Sequence, residues 1–256
     1  MTQFMSAVIV IPARYASTRF PGKPLSLLKG SPLIQHVYER AKGSRLAGDV
    51  IVATDSRAVF ECVLSFGGRA EMTSVDHASG TDRVAEVARK TDYDIIVNVQ
   101  GDEPMIRPEM IDAVIGLLSD NRADIGTLAK RITDPAEIAD PNDVKVVFNE
   151  EGFALYFSRS PIPYHRDLWK DFKRFTIHDS RFTVFKHIGI YAYRRDVLLK
   201  LTAMKQSKLE ETERLEQLRA LENNFRIKVK ETVLETIGVD TPQDLERAEK
   251  WLSSYS

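Results

Sequence analysis

The period of apolar and polar positions changes along the chain. Ala7 to Ile11 is an unbroken apolar run closed by Pro12 and Arg14, and Val50 to Ala53 and Ile95 to Val99 follow the same form apart from Asn98. Each predicts a strand buried on both faces. Ser31 to Lys42, Arg57 to Phe66 and Thr81 to Lys90 instead space their apolar residues three and four apart, which predicts helices with one buried face. Strand and helix in alternation predict βαβ units and a parallel sheet covered on both sides. Ligands of such sheets lie beyond the carboxyl ends of the strands, where the loops starting at Pro12, Thr54 and Gln100 fall.

After another helix at Pro108 to Ser119 the pattern changes. Ile125 to Arg131, Val144 to Phe148, Ala154 to Phe157 and Val184 to Tyr193 predict strands joined by longer polar connections, hence a mixed sheet that shapes a second pocket. Arg166 to Arg181 is charged and aromatic without a clear period and is expected to be a surface excursion or an interface arm. Leu209 to Glu222 predicts a charged helix, Arg226 to Val229 a last strand, and Pro242 to Leu252 a C-terminal helix opened by Thr241. With no repeat, low-complexity tract or flexible linker, residues 1–256 read as one α/β domain whose first half, roughly residues 1–120, is the nucleotide half.

Composition narrows the function. Hydrophobic residues at 43% and charged residues at 29% fit a folded globular chain. Lys plus Arg number 36 against 37 Asp plus Glu, so neither nucleic acid nor an acidic membrane is an expected partner, and any anion must be held by a local cluster. Cys62 is the only cysteine, which leaves no intramolecular disulfide or cysteine zinc site and fits a reducing compartment. No basic segment precedes the first apolar run, and no stretch approaches the roughly 18 apolar residues that span a bilayer; a cytoplasmic protein is expected.

The first candidate chemistry is the loop PARYASTRFPGKPL, where Arg14, Arg19 and Lys23 accompany Gly22, Pro21 and Pro24. Three cations and main-chain N–H groups on a stiffened loop suit a triphosphate. The loop matches neither the Walker pattern nor the dinucleotide fingerprint, and a solvated basic loop is the competing reading; its place beyond the first strand favours phosphate. In VNVQGDEP, Ile96, Asn98 and Gln100 share one side of a strand that Gly101 ends, presenting Asp102 and Glu103 past its carboxyl end. An aspartate there is either a turn residue or a ligand for Mg²⁺, which takes one or two carboxylates, waters and substrate phosphates. In GVDTPQDLERAE, Thr241 before Pro242 already starts the helix and leaves Asp240 over; spacing alone makes it structural more often than metal-binding.

In FKHIGIYAYRR, alternation puts Ile188, Ile190 and Ala192 on one face and His187, Gly189, Tyr191 and Tyr193 on the other, a polar and aromatic surface able to line a sugar pocket. A half-buried, satisfied histidine is the more common explanation for any one residue such as His187. Arg159 in ALYFSRSPIPY is a bidentate partner for a carboxylate or a surface arginine. In LEETERLEQLRALE, Leu215, Leu218 and Leu221 form a stripe with Glu216 beside it and Gln217 outside, and helical period alone predicts solvated charges. Ser79 and Gly80 in HASGTDR precede a helix whose N-terminus receives a base or phosphate, although a cap by Ser79 or Thr81 accounts for the segment too.

Taken in order, IPARYASTRFPGKPL, VATDS, HASGTDR, VNVQGDEP, ALYFSRSPIP, KHIGIYAY, LEQLRAL and VDTPQDL closely resemble the 3-deoxy-manno-octulosonate cytidylyltransferases, which activate the sugar acid Kdo as CMP-Kdo. The likeness runs from Val8 to Glu249; sialic-acid cytidylyltransferases are similar at the first loop but carry a shorter Gly-Ser-Lys form in place of ARYASTRFPGKP. The resemblance implies a three-layer α/β nucleotidyltransferase fold with a mostly parallel mixed central sheet. A smaller sugar-binding and dimerisation portion falls in residues 121–256. It also implies a homodimer, Mg²⁺ as cofactor, CTP and Kdo as substrates, and a place in lipopolysaccharide synthesis. Residue by residue it makes Arg14, Arg19 and Lys23 triphosphate ligands, Asp102 and Asp240 metal ligands, Gln100, Arg159, His187, Tyr191 and Glu216 Kdo contacts, and Ser79 with Gly80 the nucleoside segment. The chain departs from the family pattern around SKLEETERLEQLR, at Glu211, Thr212 and Arg214, which leaves 8-amino-Kdo or another sugar acid as the alternative acceptor. Two other classes are weighed against this. A glycosyltransferase of similar fold usually carries Asp-x-Asp, whereas Glu103 and Pro104 follow Asp102 here; a nucleotide-binding regulator without turnover would not need Arg14, Lys23, Asp102 and Asp240 together.

Overall fold

β1 (Ala7–Pro12) is apolar through Ile11 because it is covered twice: Ala7, Ile9 and Ile11 enter one core layer, Val8 and Val10 the other. The computed structural model describes residues 5–16, 20–166 and 183–254. Arg19, and all of the expected 166–181 excursion except Arg166, lie outside the described residues. Beyond the first loop, Lys29 (φ 51°) and Gly30 (φ 82°) turn β2 (Leu27–Leu28) onto β3 (Ser31–Pro32). Such a two-residue hairpin needs left-handed backbone at both positions, which is why a glycine stands there. The helix expected from Ser31 therefore begins later, as α1 (Leu33–Ala41), since Pro32 is extended and pairs with Leu27.

β4 (Asp49–Thr54), α2 (Arg57–Ser65), the short β5 (Ala70–Met72), α3 (Gly80–Arg89) and β6 (Ile95–Asn98) continue the βαβ rhythm. β1 pairs in parallel with both β4 and β6, and β4 with β5. Next come α4 (Pro108–Leu117), β7 (Ile125–Arg131), α5 (Pro135–Ala139), and a hairpin of β8 (Lys145–Phe148) and β9 (Ala154–Ser158). β10 (Phe185–Arg194) then inserts antiparallel between β6 and β7. α6 (Arg195–Ala203), overlooked in the sequence reading, follows it directly and buries Val197, Leu198 and Leu201. The charged helix expected over Leu209 to Glu222 is broken into α7 (Lys208–Glu213) and α8 (Gln217–Glu222). The break lies at Arg214, in left-handed conformation (φ 55°, ψ 45°). β11 (Ile227–Glu231) pairs in parallel with β7, and α9 (Pro242–Ser254) closes the described chain.

The main sheet runs β11-β7-β10-β6-β1-β4-β5, with β8 and β9 attached beside β10. It is the mixed, largely parallel sheet of a three-layer α/β fold: α1, α2 and α4 pack on one face, α3, α6 and α8 on the other. A third apolar cluster of Leu28, Leu33, Met105, Val239 and Ala248 fastens α9 beside the first hairpin. That contact carries the chain around residue 240 to the carboxyl ends of β1 and β6. No helix among the described residues is long and apolar enough to cross a membrane.

Candidate active site

Past β1 the chain keeps sheet contact for one more residue, Ala13 donating to the Ala53 carbonyl at 2.8 Å, before it leaves as the basic loop. The loop returns at Gly22, whose N–H meets the Tyr15 carbonyl at 3.1 Å and whose φ of +72° is one that a side chain would strain. A short 3₁₀ turn, Lys23–Leu25, follows and fixes Lys23. The Lys23 ammonium, largely buried, reaches Asp102 Oδ2 at 2.6 Å and Asp240 Oδ1 at 3.1 Å. Two carboxylates from distant parts of the chain thus converge on one cation.

Asp102 stands in the turn that ends β6, where Glu103 N–H closes on the Gln100 carbonyl at 3.2 Å. Gly101 is required because a Cβ there would meet the Pro12 carbonyl at 2.8 Å. Asp240 is brought alongside by the Val239 N–H bond to the Asp102 carbonyl, 2.8 Å. The start of α9 is served by other groups: Asp244 N–H donates to Thr241 Oγ1 at 3.2 Å and Thr241 N–H to Asp244 Oδ2 at 3.0 Å. The Asp240 carboxylate therefore does not cap the helix. Glu103, expected beside Asp102 at the open strand end, turns inward instead. Its Oε2 is buried without a partner among the described residues, and burial first, then the charge of Asp102, pushes its carboxyl up to about 7.

Ser79 caps α3, accepting from Asp82 N–H while Asp82 accepts from Ser79 N–H. The positive end of this helix, with Gly80, faces the same space as the basic loop. Arg14, Lys23, Ser79, Gly80, Gln100, Asp102 and Asp240 all line one cavity of about 370 Å³. Two further residues on its wall escaped the sequence reading as individuals. Arg83 is buried, with one guanidinium nitrogen 2.7 Å from Asp55 Oδ2 and another on the Ser74 carbonyl at 3.2 Å. The signal was available, because Arg83 lies one turn before Val87 on the buried stripe of α3. His77 binds Glu86 Oε2 at 2.6 Å. Glu86 lies as low as about 2, because the Ser74 N–H, His77 and Lys90 outweigh its desolvation.

Glu216 is not the solvated charge that helical period predicts. It accepts from Ser79 Oγ at 3.1 Å and from the Thr81 hydroxyl, and burial raises its carboxyl. Gln217 is buried as well. Glu216 lines a second cavity of about 460 Å³ that shares Ser79 with the first. Arg219 beside it is held by Glu210 through bonds of 2.7 and 2.6 Å. The break at Arg214 makes this arrangement possible, and Arg159 maintains it: its guanidinium donates to the carbonyls of Glu213 (2.7 Å), Pro141 (2.8 Å) and Arg214 (3.3 Å). Arg159 thus meets main-chain carbonyls, and it lines neither of the two cavities.

His187 and Tyr191 share a face of β10, as alternation requires, with ring centres 5.2 Å apart. The pairing with β7 shifts register between Ile188 and Tyr191, and there Thr127 Oγ1 lies 2.7 Å from the Ile190 carbonyl and 2.9 Å from His187 Nε2. A hydroxyl has one proton; given to Ile190, it leaves Thr127 as acceptor and His187 as the Nε2–H donor. Burial pushes the imidazole down to about 3 and, with the charge of Glu216, raises Tyr191 above its ordinary range. These two residues also lie off the two cavities. Among the described residues no group of three or more His, Cys, Asp or Glu is placed to hold a metal. Asp102 and Asp240 are two hard oxygen donors meeting at a point already occupied by a cation, a set that fits Mg²⁺ once phosphates and waters supply the rest.

The cytidylyltransferase family profile matches residues 8–233. A protein of Geobacter metallireducens named 3-deoxy-manno-octulosonate cytidylyltransferase is 54% identical over 252 residues, 98% of this chain and 99% of its own. One of the same name from Thermodesulfovibrio yellowstonii is 52% identical over 260 residues, covering 98% and 100%. The solved structure of a CMP:2-keto-3-deoxy-manno-octonic acid synthetase complexed with CTP superposes with a TM-score of 0.90 at 47% identity, covering 98% of this chain and 100% of that one. On its fold, on its residue pattern and on these likenesses along nearly its whole length, the chain belongs to the cytidylyltransferase family, among the 3-deoxy-manno-octulosonate cytidylyltransferases.

Proposed function

We propose that this chain transfers CMP from CTP to Kdo, giving CMP-Kdo and pyrophosphate. The observation that carries the reading is the meeting of Lys23, Asp102 and Asp240 on one cavity wall, at the carboxyl ends of β1 and β6. The anomeric hydroxyl oxygen of the sugar bonds to the α-phosphorus in line with the bond that breaks, its proton passing to solvent, and pyrophosphate leaves with the electron pair. No side chain is assigned as general base. Arg14 and Lys23, with Arg19 by resemblance, face the triphosphate and offset the charge that grows on the leaving group. Ser79 and Gly80 receive the nucleoside. Gln100, Arg159, His187, Tyr191 and Glu216 are the acceptor side, Glu216 through the second cavity and Arg159 by holding the turn at Arg214.

Mg²⁺ is the cofactor of this reading, held by Asp102 and Asp240; when bound it neutralises phosphate charge and orients the reacting groups. The family resemblance further supports a homodimer in the cytoplasm.

Pyrophosphate release tests the proposal with CTP or ATP, each offered with Kdo, 8-amino-Kdo or sialic acid. Strong preference for CTP with Kdo is expected. Comparable turnover with ATP would remove the nucleotide assignment, and a faster rate with 8-amino-Kdo would change the acceptor. No turnover with any sugar acid would make the chain a nucleotide-binding regulator.

A further inference from the structure

β6 and the residue after it, Val99, are apolar except at Asn98, whose side chain is buried with the rest. A buried amide costs stability unless its polar atoms are used, so its partners show what it is for. Asn98 Nδ2 lies 3.5 Å from Thr81 Oγ1, and Asn98 Oδ1 accepts from Gln100 Nε2 at 3.2 Å. Thr81 in turn donates to the Glu216 carboxylate. Four side chains thus join the first cavity, which Gln100 lines, to the second, which Glu216 lines. The direction of each bond follows from the last member. A carboxylate only accepts, so the one Thr81 hydroxyl proton goes to Glu216 and the Thr81 oxygen is left to accept. Asn98 therefore turns its NH₂ to Thr81 and its carbonyl to Gln100. Gln100 gives an N–H inward, which directs its own carbonyl oxygen away from Asn98.

We propose that Asn98 is a positioning residue for the transfer reaction, holding the Gln100 amide in one of its two orientations so that its carbonyl oxygen faces the first cavity and accepts a hydrogen bond from a hydroxyl of the sugar acid. The inference rests on the proposed function, which puts Gln100 on the acceptor side, and adds a residue that acts through Gln100. An amide that is not held presents its N–H and its carbonyl in turn. Fixing one end beforehand removes that ordering cost from the binding of a hydroxyl that has to donate.

The test measures KM for Kdo and for CTP in wild type, Asn98→Leu, Gln100→Ala and the double variant; leucine keeps the branching of asparagine without its polar atoms. Asn98→Leu is expected to raise the KM for Kdo about three- to tenfold, the size of one hydrogen bond between uncharged groups, and to leave that for CTP unchanged. Because Asn98 acts through Gln100, the double variant should be no worse than Gln100→Ala alone. An unchanged KM for Kdo in Asn98→Leu overturns the positioning role, and so do equal rises in both KM values or a double variant whose losses add. If Asn98→Leu does not fold, the wild type decides. Hydrogen exchange at the Gln100 side-chain amide, followed by nuclear magnetic resonance in protein labelled at its glutamine amides and assigned by the signal that Gln100→Ala removes, is expected to be slower than that of an exposed glutamine. Exchange at the exposed rate overturns the fixed orientation. A wild type without turnover would overturn the proposed function instead, and the exchange measurement still decides whether Asn98 holds Gln100.

Discussion

Lys23 Nζ lies 2.6 Å from Asp102 Oδ2, across 79 positions of sequence, and the same ammonium holds Asp240. Without that cation two carboxylates face one another on the wall of the proposed triphosphate site. Lys23→Met is expected to weaken CTP binding at least about tenfold, or about 1.4 kcal/mol, and to increase the Mg²⁺ needed. The fold should change little, because the Asp240 side chain is half-exposed and water screens it. Calorimetric titration of CTP at several Mg²⁺ concentrations, beside thermal melting, checks both parts.

Asp240→Asn separates a metal ligand from a structural aspartate. Thr241 and Asp244 already serve the start of α9, so the amide should leave the melting temperature nearly unchanged. Turnover at saturating CTP is expected to fall by about 10² to 10³, or about 3 to 4 kcal/mol of transition-state stabilisation, with partial recovery at raised Mg²⁺. A normal rate would confine Asp240 to its pairing with Lys23.

Arg159 spends its guanidinium on three carbonyls around the Arg214 turn, and this predicts a mixed phenotype. Arg159→Ala should cost about 1.5 to 3 kcal/mol of stability, the range for hydrogen bonds to a charged group. It should also raise the KM for Kdo more than that for CTP, since Glu216 hangs from the same turn. Arg159→Lys, a single ammonium without the planar fork, should rescue neither fully. Urea unfolding with steady-state kinetics on both substrates is the check; lost stability with unchanged Kdo dependence would make Arg159 a clamp only.

His187 gives a pH dependence of defined sign. Its imidazole is pushed down to about 3 in the folded chain, against about 6.5 when unfolded. Between these values the unfolded chain binds the extra proton, so the contribution of His187 is level above about pH 7 and turns against folding as pH falls below about 6.5. By pH 5 the loss is about 2 kcal/mol. His187→Gln keeps a donor for Thr127 and removes the titration. Its unfolding free energy should therefore fall less between pH 7 and pH 5 than that of the wild type; parallel curves would contradict the burial of the ring.

The parts of the fold legible in the sequence are those where one physical demand dominates. β1, β4 and β6 declare themselves because strands buried on both faces must be apolar at consecutive positions, and their loops then locate the first cavity. Asp240 is freed from capping by its neighbours Thr241 and Pro242, a local fact that spacing reveals. What stayed hidden depends on distant partners. Nothing in LEETERLEQL announces a break, because an arginine rarely takes the left-handed conformation that Arg214 adopts. Its cause is the grip of Arg159 together with the Ser79 and Thr81 hydroxyls that draw Glu216 inward. Asp102 and Glu103 look alike in sequence, and only the chain passing over Glu103 decides which faces the cavity. α6 was missed because its apolar stripe is short and follows β10 without a turn residue.

The insertion of β10 between β6 and β7 also sets the order in which a growing chain becomes safe and useful. As the polypeptide leaves the ribosome, β6 and β7 are complete while the strand that joins them has yet to be made, so each waits with an open edge. Bare edges of apolar strands invite pairing with other chains, and pairing between distant segments is slow. The edges of β6 and β7 that β10 covers stay open until β10 docks, and the far edge of β7 stays open until β11 follows. Asp240 emerges later still, so a chain stalled in that interval carries the basic loop and Asp102 and yet lacks the second carboxylate. Premature release would yield a sticky fragment without the acid pair of the finished enzyme.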